Sequence, residues 1–484
     1  MTRGYVTVFV GLAAQNLLLF GLSLLLASIY GTDAEVDAYA GNALSVPLLF
    51  SGVLAGTFAP TLIPVLQGSD PEENKRSLAG LAIGGTLLFS LVLAVLGAIF
   101  ARPVMMYAHP GGDPDLIARS TELFRILVWL IPANTMIGLF QSVLNAHLNF
   151  LTPALAGVLG PLLTVLIVAL FAEQGEIEVV AWATVLGAVF SVLWQLPRVR
   201  KYVAFRNALQ QSDRLRSLLG LAGPIFLGIL FVRMDAIVDR QACSTLPEGR
   251  IAQLRYASQI MTIFVAFASG TLSTVAFPRI ARAIDDRKEL VARVREGLRT
   301  LITLTMPGFV VLFLFATPLV RDLFERGEFT SADTAIVATL VQIYAFYFLG
   351  ACLGELSTKT MFALHDSVTP TVIGSVGLAI GFGFKLWLAP RLGIDALVTI
   401  SSTTYVVISL LLLFAACGKT GYSVFTGLGV TVLKSLAATL LAMLIGWGML
   451  QTGLPLSGIL GLLLGAGAYF AAVWGMGRRE RAAE

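Results

Sequence analysis

Eight ionisable side chains stand in stretches that are otherwise apolar: Arg233, Asp235, Asp239 and Arg240, then Arg255, then Glu355 and Lys359, then Lys385. Asp235 and Asp239 are four residues apart, as are Glu355 and Lys359, a spacing that puts each pair on one helix face. A charge at the centre of a bilayer costs about 2.5–3.5 kcal/mol on insertion scales, so such groups face a cavity or one another. Two chemistries are open to them. Asp235, Asp239, Glu355 and Lys385 can form internal salt bridges or couple to an ion, while Arg233, Arg255 and Lys359 can line a site for an anionic lipid headgroup. No nucleophile, base and orienter occur together, and neither a phosphate-binding glycine loop nor a large soluble loop is present, which argues against an enzyme. His109, His147 and His365 are dispersed near span ends and read as interfacial. Cys243, Cys352 and Cys417 sit in apolar runs as packing residues. No metal, disulfide or cofactor is expected.

The elements that must hold these charges are membrane helices. Of the 484 residues, 57% are hydrophobic and 13% charged, and mean hydropathy is +0.84, so lipid is the solvent. About 20 apolar residues span a ~30 Å hydrocarbon core as a helix. Fourteen such spans are expected, beginning near Val6, Tyr39, Leu78, Leu123, Thr152, Val179, Leu218, Ala252, Leu298, Ala335, Thr369, Ala396, Leu428 and Leu454. The first is too long for a signal-peptide core and is expected to be retained.

Loop charge sets the orientation. The loop after span six carries Arg198, Arg200, Lys201, Arg206, Arg214 and Arg216, and the C-terminus carries Arg478, Arg479 and Arg481, whereas 31–37 and 173–178 contain neither Lys nor Arg. Both termini and Ser212 are therefore expected in the cytoplasm, and Gly175 outside. The pI of about 9.0 reflects these loops and implies no nucleic-acid partner.

A repeat runs through the chain. Gly56, Thr57 and Pro64 recur as Gly270, Thr271 and Pro278, and the stretch from Asn145-Ala146-His147 to Thr152-Pro153 and Gly157 recurs from Ala363-Leu364-His365 to Thr369-Pro370 and Gly374. An even period of six spans keeps both halves in the same orientation, a parallel repeat with a cavity between lobes. The expected division is a first lobe at 1–200, a basic cytoplasmic linker at 201–216, a second lobe at 217–418, and two further spans with a cytoplasmic tail at 419–484. Thr-Pro at 152 and 369 reads as a helix cap followed by a first-turn proline, and Arg326-Gly327 as a tight turn.

Several of these stretches resemble the MurJ/MviN family of lipid-linked oligosaccharide flippases, within the multidrug, oligosaccharidyl-lipid and polysaccharide exporter superfamily. Asp322-Leu-Phe-Glu-Arg-Gly-Glu-Phe329 and Phe362-Ala-Leu-His-Asp-Ser-Val-Thr-Pro370 look like its loops after spans nine and ten. Gly138 to His147 with Thr152-Pro153-Ala154 looks like its turn after span four. Leu246-Pro-Glu-Gly249 with Tyr256-Ala257, and Leu272-Ser-Thr274 with Pro278-Arg279, are similar to its seventh-to-eighth span passage; Asp37-Ala38-Tyr39 resembles the start of its second span.

The resemblance implies an all-α fold of two six-helix lobes plus two helices. It also implies alternating-access transport of a polyprenyl-diphosphate-linked glycan, lipid II by default, across the bacterial cytoplasmic membrane for peptidoglycan synthesis, with cell-wall synthesis proteins as further partners. The headgroup in that family is thought to be held by arginines. Here their positions fall on Asn16 and Leu22, on Phe50 and Ser51, and on Gln259, so Asn16, Asp37 and Gln259 join the candidate substrate contacts. Where sodium-coupled relatives carry an Asn and an Asp in span eleven, this chain has Gly381 and Lys385, whose ammonium is expected to replace the ion. A flippase for another envelope glycan, a multidrug/cation antiporter and a non-transporting scaffold descended from a flippase remain open.

Overall fold

The computed structural model describes residues 2–67, 71–109, 113–172, 176–204, 212–283, 286–364, 366–451, 460–461, 464–469 and 471–473. No strand occurs among the described residues. The first helices are α1 (Thr2–Tyr30) and α2 (Ala34–Ala38), then a π-turn at Tyr39–Ala43 runs directly into α3 (Leu44–Gln67). There follow α4 (Glu72–Ile99), α5 (Ala101–Ala108), α6 (Pro114–Leu127), α7 (Leu130–Ala146), α8 (Leu151–Phe171), α9 (Ile177–Val199) and α10 (Ser212–Cys243). The remainder comprises α11 (Arg250–Arg282), α12 (Arg287–Leu314), α13 (Ala316–Phe324), α14 (Ser331–Ala363), α15 (Val368–Leu392), α16 (Ile394–Thr420) and α17 (Leu428–Leu450).

Twelve stretches among the described residues are long and apolar enough to cross a bilayer, against fourteen expected. The seventh expected span is present as the continuous helix α10, which is not among those twelve. Most of the fourteenth lies outside the described residues, as do Gly175, His365 and the C-terminal arginines. Leu88, Phe89, Ile99, Leu170 and Leu444 are exposed, as expected where the surface meets hydrocarbon rather than water. The chain is a multi-pass all-α membrane protein.

The chain divides into two compact units, Met1–Ala252 and Gln253–Glu484. In the first, Leu62 and Leu66 of α3, Leu78 and Ile83 of α4, and Leu139 and Val143 of α7 form a buried apolar cluster. In the second, Leu378 of α15 packs with Ile408 and Leu412 of α16. There the aromatic rings of Tyr256, Phe324 and Phe329 lie 5.3–5.7 Å apart and hold the loop after α13, where Gly327 turns with φ +59°.

Two short helices were not anticipated. α5 and α13 are amphipathic single stretches after the third and ninth spans, too short for a span and too apolar to read as loop. The signal was present: Phe100-Ala-Arg-Pro103 and Phe315-Ala-Thr-Pro318 open them at an offset of 215 residues (315 less 100). The Thr-Pro pairs also differ from expectation. α8 begins at Leu151 and α15 at Val368, so each Thr lies inside the first turn and is itself held. The Asn149 side chain accepts from the Thr152 backbone N–H and hydroxyl, and Asp366 accepts from both groups of Thr369. The capping acceptor is the residue three positions earlier.

Candidate functional site

The polar centre of the first unit is built where two helices begin. A helix start leaves N–H groups without intrahelical partners, and α2 and α11 supply acceptors to each other. Asp37, only 3% exposed, reaches the start of α11, where one carboxylate oxygen accepts from Gly249 N–H and the other from Ala252 N–H, both at 2.7 Å. In return Glu248 Oε1 accepts from Ala34 N–H, the first of α2, at 3.0 Å. Gly249 has φ +83°, and a Cβ there would lie 2.7 Å from the Thr32 carbonyl oxygen, so this junction requires glycine. Both oxygens of Asp37 are thus engaged by backbone.

Beside this latch, Arg119 of α6 gathers three carboxylates. Its Nε donates to both oxygens of Glu35 at 3.0 Å, and its Nη1 to Glu122 at 3.0 Å and to Glu178 of α9. The knot ties α2, α6 and α9 together around an open cavity of about 660 Å³ that is also lined by Asp113, Asp115 and Glu248. Neither Arg119 nor its partners stood out in the sequence, because Glu35 and Glu178 lie in the first turns of α2 and α9, Arg119 and Glu122 in α6, and their convergence requires the fold.

Along the same rod, the π-turn at Tyr39–Ala43 kinks at Gly41, where ψ is −142°. The Ala40 carbonyl accepts from Arg240 Nε at 3.0 Å, while Arg240 Nη1 donates to Ala236 O at 2.7 Å. Asn42 Nδ2 donates to the Ala108 carbonyl at 2.6 Å. His109, expected at an interface, is instead 1% exposed and packs on Gly41: a Cβ there would lie 3.3 Å from His109 Cε1. Burial pushes the imidazole down to about 4, so it is neutral at physiological pH. Its polar side chain was legible in the sequence and its burial was not.

Further along α3, Gly52 and Gly56 face α10. A Cβ at Gly52 would lie 3.2 Å from Nε and Cζ of Arg233, and one at Gly56 would lie 3.1 Å from Ile229 Cδ1. The Arg233 guanidinium therefore lies against α3 next to Phe50 and Ser51. Asp235 and Asp239 are half-buried on α10, and Asn16 on α1 donates its Nδ2 to Leu12 O of its own helix. In the second unit, half-buried Arg255 and Gln259 lie one turn apart on α11. Lys359 Nζ lies 3.7 Å from Glu355 Oε1 on α14, the pair expected from their spacing. Lys385 of α15 is 1% exposed, its ammonium 6.0 Å from the Phe382 ring centre. No cluster of three or more metal-ligating side chains occurs among the described residues.

A family described as "Lipid II flippase MurJ" matches residues 26–461. A Burkholderia cenocepacia protein named "Lipid II flippase MurJ" is 27% identical over 482 residues, covering 94% of this chain and 93% of its own. A Buchnera aphidicola protein named "Probable lipid II flippase MurJ" is 26% identical over 368 residues, covering 74% and 72%. Among solved structures, "Lipid II flippase MurJ, inward closed conformation" has a TM-score of 0.81 at 19% identity over 99% of both chains. An inward-facing multidrug resistance MATE family transporter of the MOP superfamily reaches 0.68 at 15% identity, over 86% of this chain and 96% of its own. These two structural likenesses establish the fold.

Proposed function

The chain belongs to the lipid II flippase MurJ family, and from that premise we propose that it moves a polyprenyl-diphosphate-linked glycan, lipid II in the first instance, from the cytoplasmic to the outer leaflet by alternating access. It acts as a transporter and not an enzyme, in the bacterial inner membrane with both termini cytoplasmic. Single-cysteine labelling of Ser212→Cys from outside intact cells would overturn that orientation.

The observation that carries the diphosphate reading is the position of Arg233. The family's second-span arginines fall here on Phe50 and Ser51, yet α10 delivers a guanidinium to the adjacent Gly52. A cation missing from α3 is thus returned to the same place from a neighbouring helix. Moving a diphosphate through a low-dielectric passage requires such compensation, and arginine's planar fork suits phosphate oxygens. Arg255 and Gln259 on α11 and Asn16 on α1 stay candidate headgroup contacts, whereas Asp37 serves the latch and Lys359 pairs with Glu355 of its own helix. In a strain depleted of its lipid II flippase, Arg233→Ala should abolish complementation at unchanged membrane abundance, and adding Phe50→Arg should restore it. Full activity of Arg233→Ala would overturn the assignment.

Energy coupling follows from Lys385. A lysine buried to this degree supplies a fixed cation where sodium-coupled relatives hold acidic and amide groups, and it leaves Asp235 and Asp239 to salt bridging. Transport in proteoliposomes should then be indifferent to replacing sodium with potassium at constant membrane potential. A strong sodium requirement would overturn this assignment and move the ion site to Asp235 and Asp239.

A further inference from the structure

Three features lie in sequence on one rod: the reciprocal latch at 34–37, the π-turn at Tyr39–Ala43, and the Arg233 seat at Gly52. The two ends are anchored to α10 and to the chain leading into α11, so their relative rotation is set by the turn between them. A π-turn holds one residue more than an α-turn. Gly41 has a non-helical ψ of −142°, so returning it to regular α-helix turns one side against the other by about 100° of that dihedral. Both anchorages therefore hold together only while the π-turn exists.

We infer that Tyr39–Ala43 is a two-state hinge coupling the latch to the Arg233 seat, with Arg240 as the positioning residue that holds it in the π form. Arg240 satisfies the Ala40 carbonyl, a bond that depends on the local shape of the turn. The closed form is not fully satisfied. Asn42 Oδ1 and both ring nitrogens of His109, all buried at the turn, have no hydrogen-bond partner among the described residues. Buried polar atoms without partners raise the free energy of the state that contains them, and a rearranged turn can relieve it. When the rod straightens, the latch is the anchorage that releases. Its bonds lie beside an open cavity and water can replace them, while Gly52 and Gly56 remain packed on α10.

The inference deepens the transport reading by naming how its gate opens, but its test reads distance alone and requires no substrate. With Cys243, Cys352 and Cys417 replaced by Ala, spin labels at Ala34→Cys and Thr245→Cys report the latch by pulsed electron resonance. Gly41→Ala should raise the ratio of long to short distances about fivefold, the helix preference of alanine over glycine. Arg240→Ala should shift it in the same direction, and Arg240→Lys, which keeps a donor, should shift it less. Unchanged distances in Gly41→Ala and Arg240→Ala would overturn the hinge, whether or not the protein flips lipid. Should those variants fail to fold, Asp37→Ala removes both carboxylate acceptors of the latch without touching the turn. Hydrogen exchange at Gly41–Ser45 should then slow as regular helix forms, and unaltered exchange there would equally overturn it.

Discussion

The seam between α8 and α9 in the first unit and that between α15 and α16 in the second are the same junction 217 residues apart, built from different materials. In the first, Gly160 and Gly187 face each other, and a Cβ on either would lie 2.7 Å from the other's carbonyl oxygen. Backbone meets backbone, tied by Ser191 Oγ donating to Ala156 O and Thr164 Oγ1 to Ala183 O. In the second, the corresponding positions are Gly377 and Thr404, with Gly377 against Ile408 and Gly381 against Thr404. The bulk has changed sides: Thr164 faces Gly187 in one seam and Gly381 faces Thr404 in the other. The loops at the ends of these helices differ in kind too. His147 stacks on Tyr202 at 3.9 Å in the first unit, whereas in the second Lys419 donates to Asp366. At this seam and its loop the first unit relies on shape and burial, the second more on side-chain bulk and charge. Equivalent helix placement therefore does not require equivalent interactions, and the two units should fail under different stresses.

Acid should reveal the largest difference. His109 is neutral in the folded first unit down to about pH 4, while an unfolded histidine takes up a proton near 6.5. Because the folded value is the lower one, stability falls as pH drops from about 6.5 to 4, by at most about 3 kcal/mol. Melting curves across that range should be flatter for His109→Leu than for the parent protein; parallel curves would remove the acid-labile distinction.

Packing gives the next contrast. Gly160→Ala sets a methyl group against a carbonyl oxygen that only helix movement can relieve, at a cost of about 2–3 kcal/mol, and Ser191→Ala should not rescue it. Gly377→Ala would set its methyl group against Ile408 Cγ1, a side chain rather than backbone, and should cost less than Gly160→Ala. Thermal melting in detergent measures both, and equal losses would mean that the seams are equally rigid.

Charge gives the smallest effect. The Lys419 ammonium and the Thr369 groups hold the Asp366 carboxyl well below the usual carboxylate range. Their contribution is therefore complete above about pH 4 and is lost only as pH falls further. Asp366→Asn should speed hydrogen exchange at the start of α15, less so in ~0.5 M salt. Tyr202→Ala should loosen the matching loop of the first unit equally at both salt concentrations. The same salt response in both would erase the comparison.

What the sequence disclosed follows the range of the forces involved. Spans were legible because crossing hydrocarbon imposes a length and a composition on the residues themselves, and the repeat because glycines and prolines that permit close approach recur at nearly the same offset, 214 and 217 residues. The Glu355–Lys359 pair was legible from helix spacing. Asp37 was identified as a resemblance to a span start, but its partners lie more than two hundred residues away and are backbone groups, which carry no sequence signature. The kink has a weak local signal in Gly41, but the Arg240 side chain that meets its Ala40 carbonyl comes from another helix and is not legible from the segment.

The Arg119 knot sets three carboxylates against one guanidinium, and Asp113, Asp115 and Glu248 border the same cavity. In the orientation proposed, this acidic vestibule faces outward. A diphosphate passing there in either direction meets repulsion over roughly a Debye length of ~8 Å, which shortens its stay at the outer mouth. The vestibule therefore sets how readily an anionic headgroup enters or leaves the outer mouth, while the direction of net flux stays with the gradient that drives the cycle.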